Sequence, residues 1–324
     1  GIIDQFHRKF IDGMLGNGYD IDFAERLFKQ IQGFGEYGFP ESHSASFALL
    51  AYASAWLKRY HPAAFAAALL NSQPMGFYAP AQLVKDAQRH GVSVLPVDVN
   101  YSEYDCSLIF AGREKVNQPE LRLGLRLVKG LSCIGASRLL ERRGSDPYIS
   151  IEQLDMRTQL SKSDLQSLAN ADAFRGISDD RHRSHWSILG LESPLPLFPN
   201  TLSDKSEVML HKPKEGENIL LDYASTGLTL RRHPLALLRK RLDKLGAISS
   251  RDLYLLNDKT TARTAGIVTS RQRPGTASGV MFFTLEDEHG FINTVVWSSL
   301  VEKYRYFISS VKILEVSGKV QQEE

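Results

Sequence analysis

The sequence TARTAGIVTSRQRPGTASGVMFFTLEDEHGFINTVVW (Thr261–Trp297) decides the fold of the last part of this chain. Its apolar residues recur with a period of two, and many are β-branched or aromatic, which is typical of β-strands. The segment EDEHGF predicts a hairpin turn at Gly290, because glycine suits tight turns. We therefore predict strands over Thr261–Thr269, Val280–Glu286 and Phe291–Val296.

A helix and a fourth strand follow this hairpin. SSLVEKYRYFI predicts the helix, and Val311–Val316 predicts the strand. Strand, strand, strand, helix, strand is the order of an OB-fold, a small β-barrel that often holds single-stranded nucleic acid. Because the barrel closes with a fifth strand and the sequence stops at VQQEE, we expect an incomplete OB-fold.

The first hundred residues predict a helical region. Ser44–Tyr60 and the helix that begins at Pro62 carry apolar residues on nearly every side, which predicts that both are buried inside a larger helical body. Asp22 is expected to cap the helix FAERLFKQIQGF. Further helices are predicted over Asp4–Leu15 and Pro80–His90.

The middle of the chain predicts short helices joined by turns. LRLGLRLV alternates like a strand, and GLSCIGASRLLERR predicts a turn followed by a helix. A second turn-rich unit covers Ile151–Arg175, and DDRHRSHWSILGL predicts another helix. ESPLPLFPNTL (Glu192–Leu202) is rich in proline and predicts a linker. Together with the strands, these patterns predict a multidomain α+β chain, mostly helical before a small β-barrel.

Composition limits the class of protein. The 324 residues carry a net charge of only +2, so a nucleic-acid surface must come from local clusters of basic residues. One cluster lies between Thr229 and Arg251, where a single acid, Asp243, faces seven cations: Arg231, Arg232, Arg239, Lys240, Arg241, Lys244 and Arg251. Two explanations stay open, a solvated helix face and a surface that contacts phosphates.

The remaining composition predicts a cytoplasmic protein without a membrane span. No apolar run reaches the length of about 18 residues that a transmembrane helix needs. The two cysteines cannot form a zinc site or a disulfide framework, which fits a reducing compartment. The chain opens GIIDQFHRKF, with neither an initiator methionine nor an export leader, and we expect a fragment of a longer protein.

Several segments resemble bacterial DNA polymerase III alpha subunits, the replicative C family. EYGFPESHSASFALLAYASAWLKRYHPAAF (Glu36–Phe65) is similar to the fingers segment of that family, and VLPVDVN (Val94–Asn100) to the segment that follows it. LRLGLRLVKGL (Leu121–Leu131) resembles the entry to its helix-hairpin-helix unit, and Thr261–Trp297 resembles its OB-fold. The wording RQRPGTASGVMF, the pair Pro40-Glu41 and TGLTLRRHPLALLR are similar to the error-prone, ImuC-type branch.

The resemblance implies four domains. We expect the C-terminal part of the fingers over residues 1–111 and a tandem helix-hairpin-helix domain over 112–190. A linker with a basic helix follows over 191–258, and the OB-fold over 259–324.

The same resemblance places the polymerase active site in a palm domain outside this chain. A palm holds Mg²⁺ with carboxylates, so we expect no catalytic residue and no cofactor here, and an inactive fragment. Asp20-Ile21-Asp22 resembles the D-x-D of a palm. Because these aspartates open a helix, we interpret them as caps.

The first hairpin is the better candidate for DNA contact. A glycine turn between two helices points backbone N–H groups at a phosphate, and nearby cations add charge. In the second hairpin, Asp172 stands where the family carries glycine, and it must accept a backbone conformation that glycine adopts freely. We therefore expect the second hairpin to be structural and the first to bind DNA through Lys129, Gly130, Ser132, Gly135 and Arg138.

Basic residues elsewhere complete the predicted DNA surface. Arg231, Arg232 and Arg239 come from the basic cluster, and Arg271 and Arg273 lie, with Lys259, beside the first OB strand. Among the aromatic residues Phe282, Phe283, Phe291 and Trp297, we expect Trp297 in the core rather than on a stacking surface.

Two further sites are suggested by the resemblance. Ser42, His43 and Lys58 lie in the fingers segment and are candidates for contact with nucleotide or template, although Ser42 could simply cap a helix and His43 could pack. SPLPLF resembles the motif that docks polymerases on the sliding clamp, through Leu195, Leu197 and Phe198. It lacks the usual glutamine, so a linker pinned to the body is the alternative. His182 and His185 have no third ligand nearby, which argues against a metal.

These expectations define one function and one alternative. The chain is predicted to hold primer–template and single-stranded template for an error-prone, translesion DNA polymerase. The resemblance implies a Y-family-like mutagenesis subunit and the sliding clamp as partners. The alternative is a protein-interaction module that recruits those partners. A free-standing enzyme is disfavoured, because the sequence contains no catalytic constellation.

Overall fold

The computed structural model describes residues 2–37, 41–76, 78–110, 118–191, 210–275 and 279–322. The chain divides into two compact units, Gly1–Ala66 and Ala67–Glu324. Among the described residues, every helix is too short or too polar to cross a bilayer.

The first unit is helical, with α1 (Ile2–Gly16), α2 (Ile21–Tyr37) and α3 (Glu41–Tyr60). The α1–α2 pair is held by ring contacts of Phe28 with His7 and Phe10. Asp20 caps α2, since its Oδ1 accepts the N–H groups of Asp22 at 2.8 Å and Phe23 at 3.3 Å. The interpretation of these aspartates as helix caps is therefore confirmed, although the cap is Asp20 rather than Asp22.

The burial predicted for α3 is wrong within this chain. Residues 45–57 of α3 are exposed, including Phe47, Leu49, Tyr52 and Trp56. Apolar residues on every side of a helix require covering surface, and the other helices of the first unit leave these side chains exposed. The next helix, α4 (Pro62–Asn71), agrees with the prediction, because most of its alanines and Leu70 are buried.

A small sheet opens the second unit after α5 (Pro80–Arg89). Its strands β1 (Val94–Leu95), β2 (Ser107–Ile109) and β3 (Glu120–Arg122) lie in the order β1-β3-β2. The strand predicted from LRLGLRLV is shorter than expected and gives way to a 3₁₀ turn. Glycine is required at position 124, between the strand and the 3₁₀ turn, because a Cβ there would lie 2.4 Å from the carbonyl carbon of Asp105.

Four short helices follow, α6 (Cys133–Arg143), α7 (Ile151–Thr158), α8 (Lys162–Asn170) and α9 (Arg181–Leu189). Each begins at a side-chain cap, supplied in turn by Ser132, Ser150, Ser161 and Asp180. These helices and the turns between them bury Leu139, Tyr148, Leu154, Leu168, Phe174 and Ile188.

The basic segment forms a helix as predicted, α11 (Pro234–Lys244). It is preceded by α10 (Glu215–Ser225), which the sequence patterns did not single out, and followed by the short α12 (Ser250–Leu253).

The last domain confirms the predicted order of strands and helix. Its elements are β4 (Thr261–Gln272), β5 (Met281–Glu286), β6 (Phe291–Val296), α13 (Ser298–Lys303), α14 (Arg305–Ser310) and β7 (Ile313–Lys319). The predicted helix is two short helices joined at Tyr304. The sheet is antiparallel in the order β6-β5-β4-β7, and it packs Phe283, Leu285 and Ile292 against Ile308 of α14.

Candidate nucleic-acid interface

The first hairpin turns at Gly130, between the 3₁₀ turn and α6. Gly130 has φ +86°, and a Cβ there would lie 2.8 Å from the Ser167 hydroxyl. Glycine is therefore required both by the backbone conformation and by the close approach of α8. Lys129, Gly130 and Ile134 are exposed, so the outer surface of the turn faces solvent.

The carboxylate of Asp164 accepts the hydrogen bonds of the hairpin turn that a phosphate was expected to accept. The N–H of Ser132 donates to Oδ1 of Asp164 at 2.8 Å, and the hydroxyls of Ser132 and Ser161 lie 3.1 Å and 2.8 Å from its Oδ2. Ser132 and Gly135 were predicted to contact DNA through the turn. Instead Ser132 caps α6 by accepting the Gly135 N–H, and a Cβ at Gly135 would lie 2.7 Å from Asp164. Both residues stabilise the fold, because the N–H groups of Ser132 and Gly135 already donate hydrogen bonds within the protein.

Other donors remain at the start of α6. The N–H groups of Cys133 and Ile134 precede the intrahelical ladder and have no partner within the helix. A cleft of about 310 Å³ lies between the N-terminal ends of α6 and α8, lined by Ile134, Arg138 and Ser163 among others. Arg138 is exposed and donates to the carbonyl of Gln159 at 3.3 Å. Lys129 is exposed on the other side of the turn, with its Nζ 3.2 Å from the carbonyl of Tyr223.

The second hairpin is closed by an internal ion pair. Asp172 has φ +59°, which confirms that the position requires the left-handed conformation. Its carboxylate lies 2.8 Å from Arg231 and 3.0 Å from Arg175. Arg231 also pairs with Asp222 at 3.3 Å, and Asp222 pairs with the fully buried Arg181. Arg231, predicted to contact DNA, is instead enclosed in this network with only a quarter of its side chain exposed.

Arg239 fixes α11 to the β5–β6 hairpin. Its guanidinium lies 2.5 Å and 3.0 Å from the two carboxylate oxygens of Glu288, and it donates to the carbonyl of Ala247 at 3.2 Å. Burial alone would raise the pKa of Glu288, but the hydrogen bonds from Arg239 hold that pKa below its ordinary value. Arg239 is therefore a structural residue rather than a free DNA contact.

The neighbouring Asp287 is a second anchor of this hairpin. It is fully buried and accepts hydrogen bonds from the N–H and hydroxyl of Ser250, both at 2.6 Å. Burial would raise its pKa, yet these bonds and those from the N–H groups of Gly290 and His289 hold that pKa below its ordinary value. The turn of the hairpin is thus tied to α12 as well as to α11.

Two of the other predicted arginines bond to protein oxygens, and the third does not form an ion pair with any described residue. Arg232 is exposed but pairs with Glu215, its Nε 2.9 Å from the carboxylate. Arg271 donates to the carbonyls of Ile308 and Val311, so it caps the end of α14. Arg273 is exposed and makes no ion pair with any residue that the structure describes. Of these three, Arg273 is the one available to a ligand.

Trp297 lies on the surface, which corrects its predicted place in the core. The β6 strand ends at Val296, so Trp297 leaves the alternation of the sheet and becomes the first residue before α13, 65% exposed. Phe282 is also exposed and pairs across the strands with Val295, whereas Phe283 points into the core. Phe291 lies beneath the cations Lys85 and Arg89.

Gly279 lies close both to the guanidinium of Arg273 and to Ser298, the residue after Trp297. A Cβ at Gly279 would lie 3.3 Å from Ser298, next to Trp297, and 3.6 Å from the guanidinium of Arg273. The guanidinium of Arg273 and the side chain of Ser298, the first residue of α13, therefore both lie beside Gly279. We call Arg273, Phe282, Val295 and Trp297 the OB patch.

Three groups of predicted residues lie elsewhere. Leu195, Leu197 and Phe198 fall outside the described residues, and the side chains of Ser42 and His43 are likewise outside them. Lys58 lies in the last turn of α3.

In the described ranges, no group of three or more His, Cys, Asp or Glu residues could hold a metal ion. His182 and His185 each bond to protein oxygens, the carbonyl of His211 and the amide of Asn170.

The sequence patterns missed the acids that organise this surface. Asp164, Asp222, Asp287 and Glu288 were not singled out. Asp164 had a local signal, because Ser161 and Asp164 have the spacing of a capping box. The other acids pair with residues distant in sequence and gave no such signal.

Two parts of the chain match families of nucleic-acid-associated domains. Residues 91–184 match the helix-hairpin-helix motif, and residues 262–324 match the OB-fold nucleic acid binding domain. The helix-hairpin-helix unit and the OB-fold predicted from the sequence are therefore present, whereas no match tests the predicted fingers segment or the domain limits.

The whole chain is similar to error-prone DNA polymerases. It is 49% identical to the "Error-prone DNA polymerase" of Methylococcus capsulatus over 339 residues, which cover 100% of this chain and 32% of the relative. The proteins of the same name from Alkalilimnicola ehrlichii and Teredinibacter turnerae are 51% and 48% identical over 98% and 99% of this chain. The chain spans about a third of the length of these curated relatives.

Proposed function

We propose that this chain is the DNA-holding part of an error-prone, translesion DNA polymerase of the ImuC-type branch of the C family. The first hairpin contacts the backbone of the primer–template, and the OB patch contacts the single-stranded template. The observation that carries this proposal is the OB patch, where two exposed aromatic rings and a free arginine occur in a domain of the nucleic-acid-binding OB type.

The OB patch has the chemistry of a single-strand site. Every base has a π-face, so stacking on an aromatic ring tolerates any sequence and contributes about 1–3 kcal/mol per base. Trp297 and Phe282 offer such rings, and Arg273 offers charge to the phosphates. These residues could bind a single-stranded template of any sequence.

The first hairpin has the chemistry of a duplex backbone site. Its remaining donors are the N–H groups at the start of α6 and the cations Lys129 and Arg138. Such donors recognise phosphate without reading bases. Because Asp164 already accepts the N–H of Ser132, phosphate contact is left to the exposed side of the turn.

Catalysis belongs to residues outside this chain in our proposal. A palm domain would bind Mg²⁺ and supply the metal chemistry of nucleotide transfer. The aspartates of the D-x-D do not fit that role here, because Asp20 is occupied as a helix cap. The proposed partners are a Y-family-like mutagenesis subunit and, through Leu195, Leu197 and Phe198, the sliding clamp. The proposed location is the cytoplasm, in association with the nucleoid.

Fluorescence anisotropy tests this proposal. The 324-residue chain is titrated onto labelled single-stranded, duplex and primer–template DNA between about 50 and about 200 mM salt. We expect micromolar or tighter binding that weakens steeply with salt, because phosphate contacts release counterions. Absence of binding at low salt, together with salt-resistant binding to the clamp, would favour the protein-interaction module instead.

A further inference from the structure

Helix α11 lies in a part of the chain that neither matched domain covers. The two matches end at residue 184 and begin again at residue 262, and α11 spans Pro234–Lys244. It carries four cations and one acid, Asp243. The structure separates these charges into two groups.

The first group faces the OB domain and is neutralised. Arg239 pairs with Glu288 and lies 3.9 Å from Asp243, one helical turn further on. The acid of the helix is therefore directed to the cation that already has a partner. It makes no ion pair with Lys240, Arg241 or Lys244 within the described ranges.

The second group is exposed and uncompensated. Lys240, Arg241 and Lys244 are exposed, and none of them makes an ion pair within the described ranges. Lys240 and Lys244 are four residues apart, and Arg241 and Lys244 are three apart, so the three side chains are neighbours on the helix surface. We call these three residues the α11 basic face.

Solvation alone does not account for three cations in this arrangement. A cation in the last turn of a helix is favourable because of the helix dipole, and Arg241 and Lys244 both satisfy that preference, whereas Lys240 does not. Additional like charges at these spacings repel one another and destabilise the isolated helix. The arrangement becomes favourable when a polyanion lies against it.

We propose that the α11 basic face contacts the phosphate backbone of duplex DNA, an inference that rests on the proposed function. Duplex is favoured over single strand because α11 has no aromatic residue on which an unpaired base could stack. Lysine and arginine in a row recognise the backbone without reading its sequence. Through Arg239, the same helix is fixed to the OB hairpin, so the duplex contact and the OB patch are carried by connected elements.

The test removes the three charges and compares a matched control. The variant is Lys240→Gln/Arg241→Gln/Lys244→Gln in the 324-residue chain, and the control is Arg8→Gln/Lys9→Gln/Lys29→Gln, three exposed cations of α1 and α2. The probes are a duplex of about 30 base pairs and an oligothymidylate of similar length, from about 50 to about 200 mM salt. Both variants have the same net charge, so a nonspecific charge effect is common to them.

We expect the α11 variant to bind the duplex about 10-fold more weakly at low salt, with the slope of log K against log salt reduced by about 2–3. The control should change affinity by less than about 2-fold, since it removes charge but no phosphate contact. Lys240→Arg/Arg241→Lys/Lys244→Arg, which keeps the charges, should bind like the unaltered chain.

Two outcomes would overturn the inference. If the unaltered chain binds duplex and the α11 variant matches its control, the α11 basic face is not a contact, while the proposed function stands. If the variant loses affinity only for oligothymidylate, the assignment to duplex is wrong. A chain that binds neither probe would remove the proposed function itself.

Discussion

Arg231 and Asp172 form an ion pair of 2.8 Å across 59 residues of sequence. The pair joins the second hairpin to the segment that leads into α11. It explains how an acidic residue is tolerated at a turn with a positive φ, a conformation that glycine adopts freely. The carboxylate meets internal guanidinium groups, so the second hairpin is closed by protein charges rather than by a phosphate.

Substitutions at Asp172 should separate backbone strain from the ion pair. Asp172→Ala loses the pair and keeps a side chain at φ +59°, whereas Asp172→Gly loses the pair but relieves the strain. We expect Asp172→Ala to be less stable than Asp172→Gly by about 1 kcal/mol, because glycine adopts this conformation freely. Urea unfolding of both variants measures the difference. Equal stabilities would show that the turn is not strained.

Asp164 should be essential for stability. Its buried carboxylate accepts three hydrogen bonds from Ser132 and Ser161, so Asp164→Ala removes the polar link between α6 and α8. We expect a loss of about 2–4 kcal/mol in the free energy of unfolding. Asp146→Ala, at an exposed position, is the control and should change stability by less than about 0.5 kcal/mol. A small effect at Asp164 would contradict its role as the link between α6 and α8.

Trp297 should contribute to binding of single strands and little to stability. We expect Trp297→Ala to weaken oligothymidylate binding by about 1–3 kcal/mol, because stacking is lost. Its melting temperature should hardly change, since the side chain is 65% exposed. Trp186→Ala, at a tryptophan of α9 that is 52% exposed, provides the control and should bind normally. Equal losses in both variants would remove Trp297 from the proposed site.

The protein should lose stability as the pH falls below about 6.5, in part through His233. Nδ1 of His233 accepts the N–H of Leu235 and caps α11, which requires the neutral ring. Burial lowers the pKa of His233 below its ordinary value of 6.5, with a further lowering by Lys85, while Glu286, Glu288 and Asp287 oppose the shift. The unfolded chain therefore binds the proton more tightly, and this contribution to stability is lost as pH falls through the folded pKa.

Unfolding measurements from about pH 8 to about pH 5 test this dependence. His233→Asn keeps a capping side chain without a titrating ring, so its stability should fall less over this range. Burial also lowers the pKa of His185, so the stability of the variant will still depend on pH. The pH profile of the variant is therefore compared with that of the unaltered chain. Identical pH profiles would exclude His233 as a contributor.

Much of the architecture was determined by the sequence itself. The period of two located the four strands of the last domain to within a few residues, because alternate side chains of a half-buried sheet must differ in polarity. Gly130 and Asp172 were recognised as turn positions by their place between helices, and both have positive φ. The four domain limits and the DNA contacts remain predictions.

Only the tertiary structure decided which charged and aromatic residues are available to a ligand. Arg231, Arg239 and Lys240 look alike in sequence, yet two are paired with acids 49 and 59 residues away and the third is free. Trp297, expected in the core, lies on the surface because it follows the end of β6 at Val296 and is not covered by the sheet. Short stretches of sequence show the hydrophobic periodicity and the secondary-structure propensity of neighbouring residues. Ion pairs and exposure depend on which distant segments the fold brings together, and that information is not contained in any short stretch of the chain.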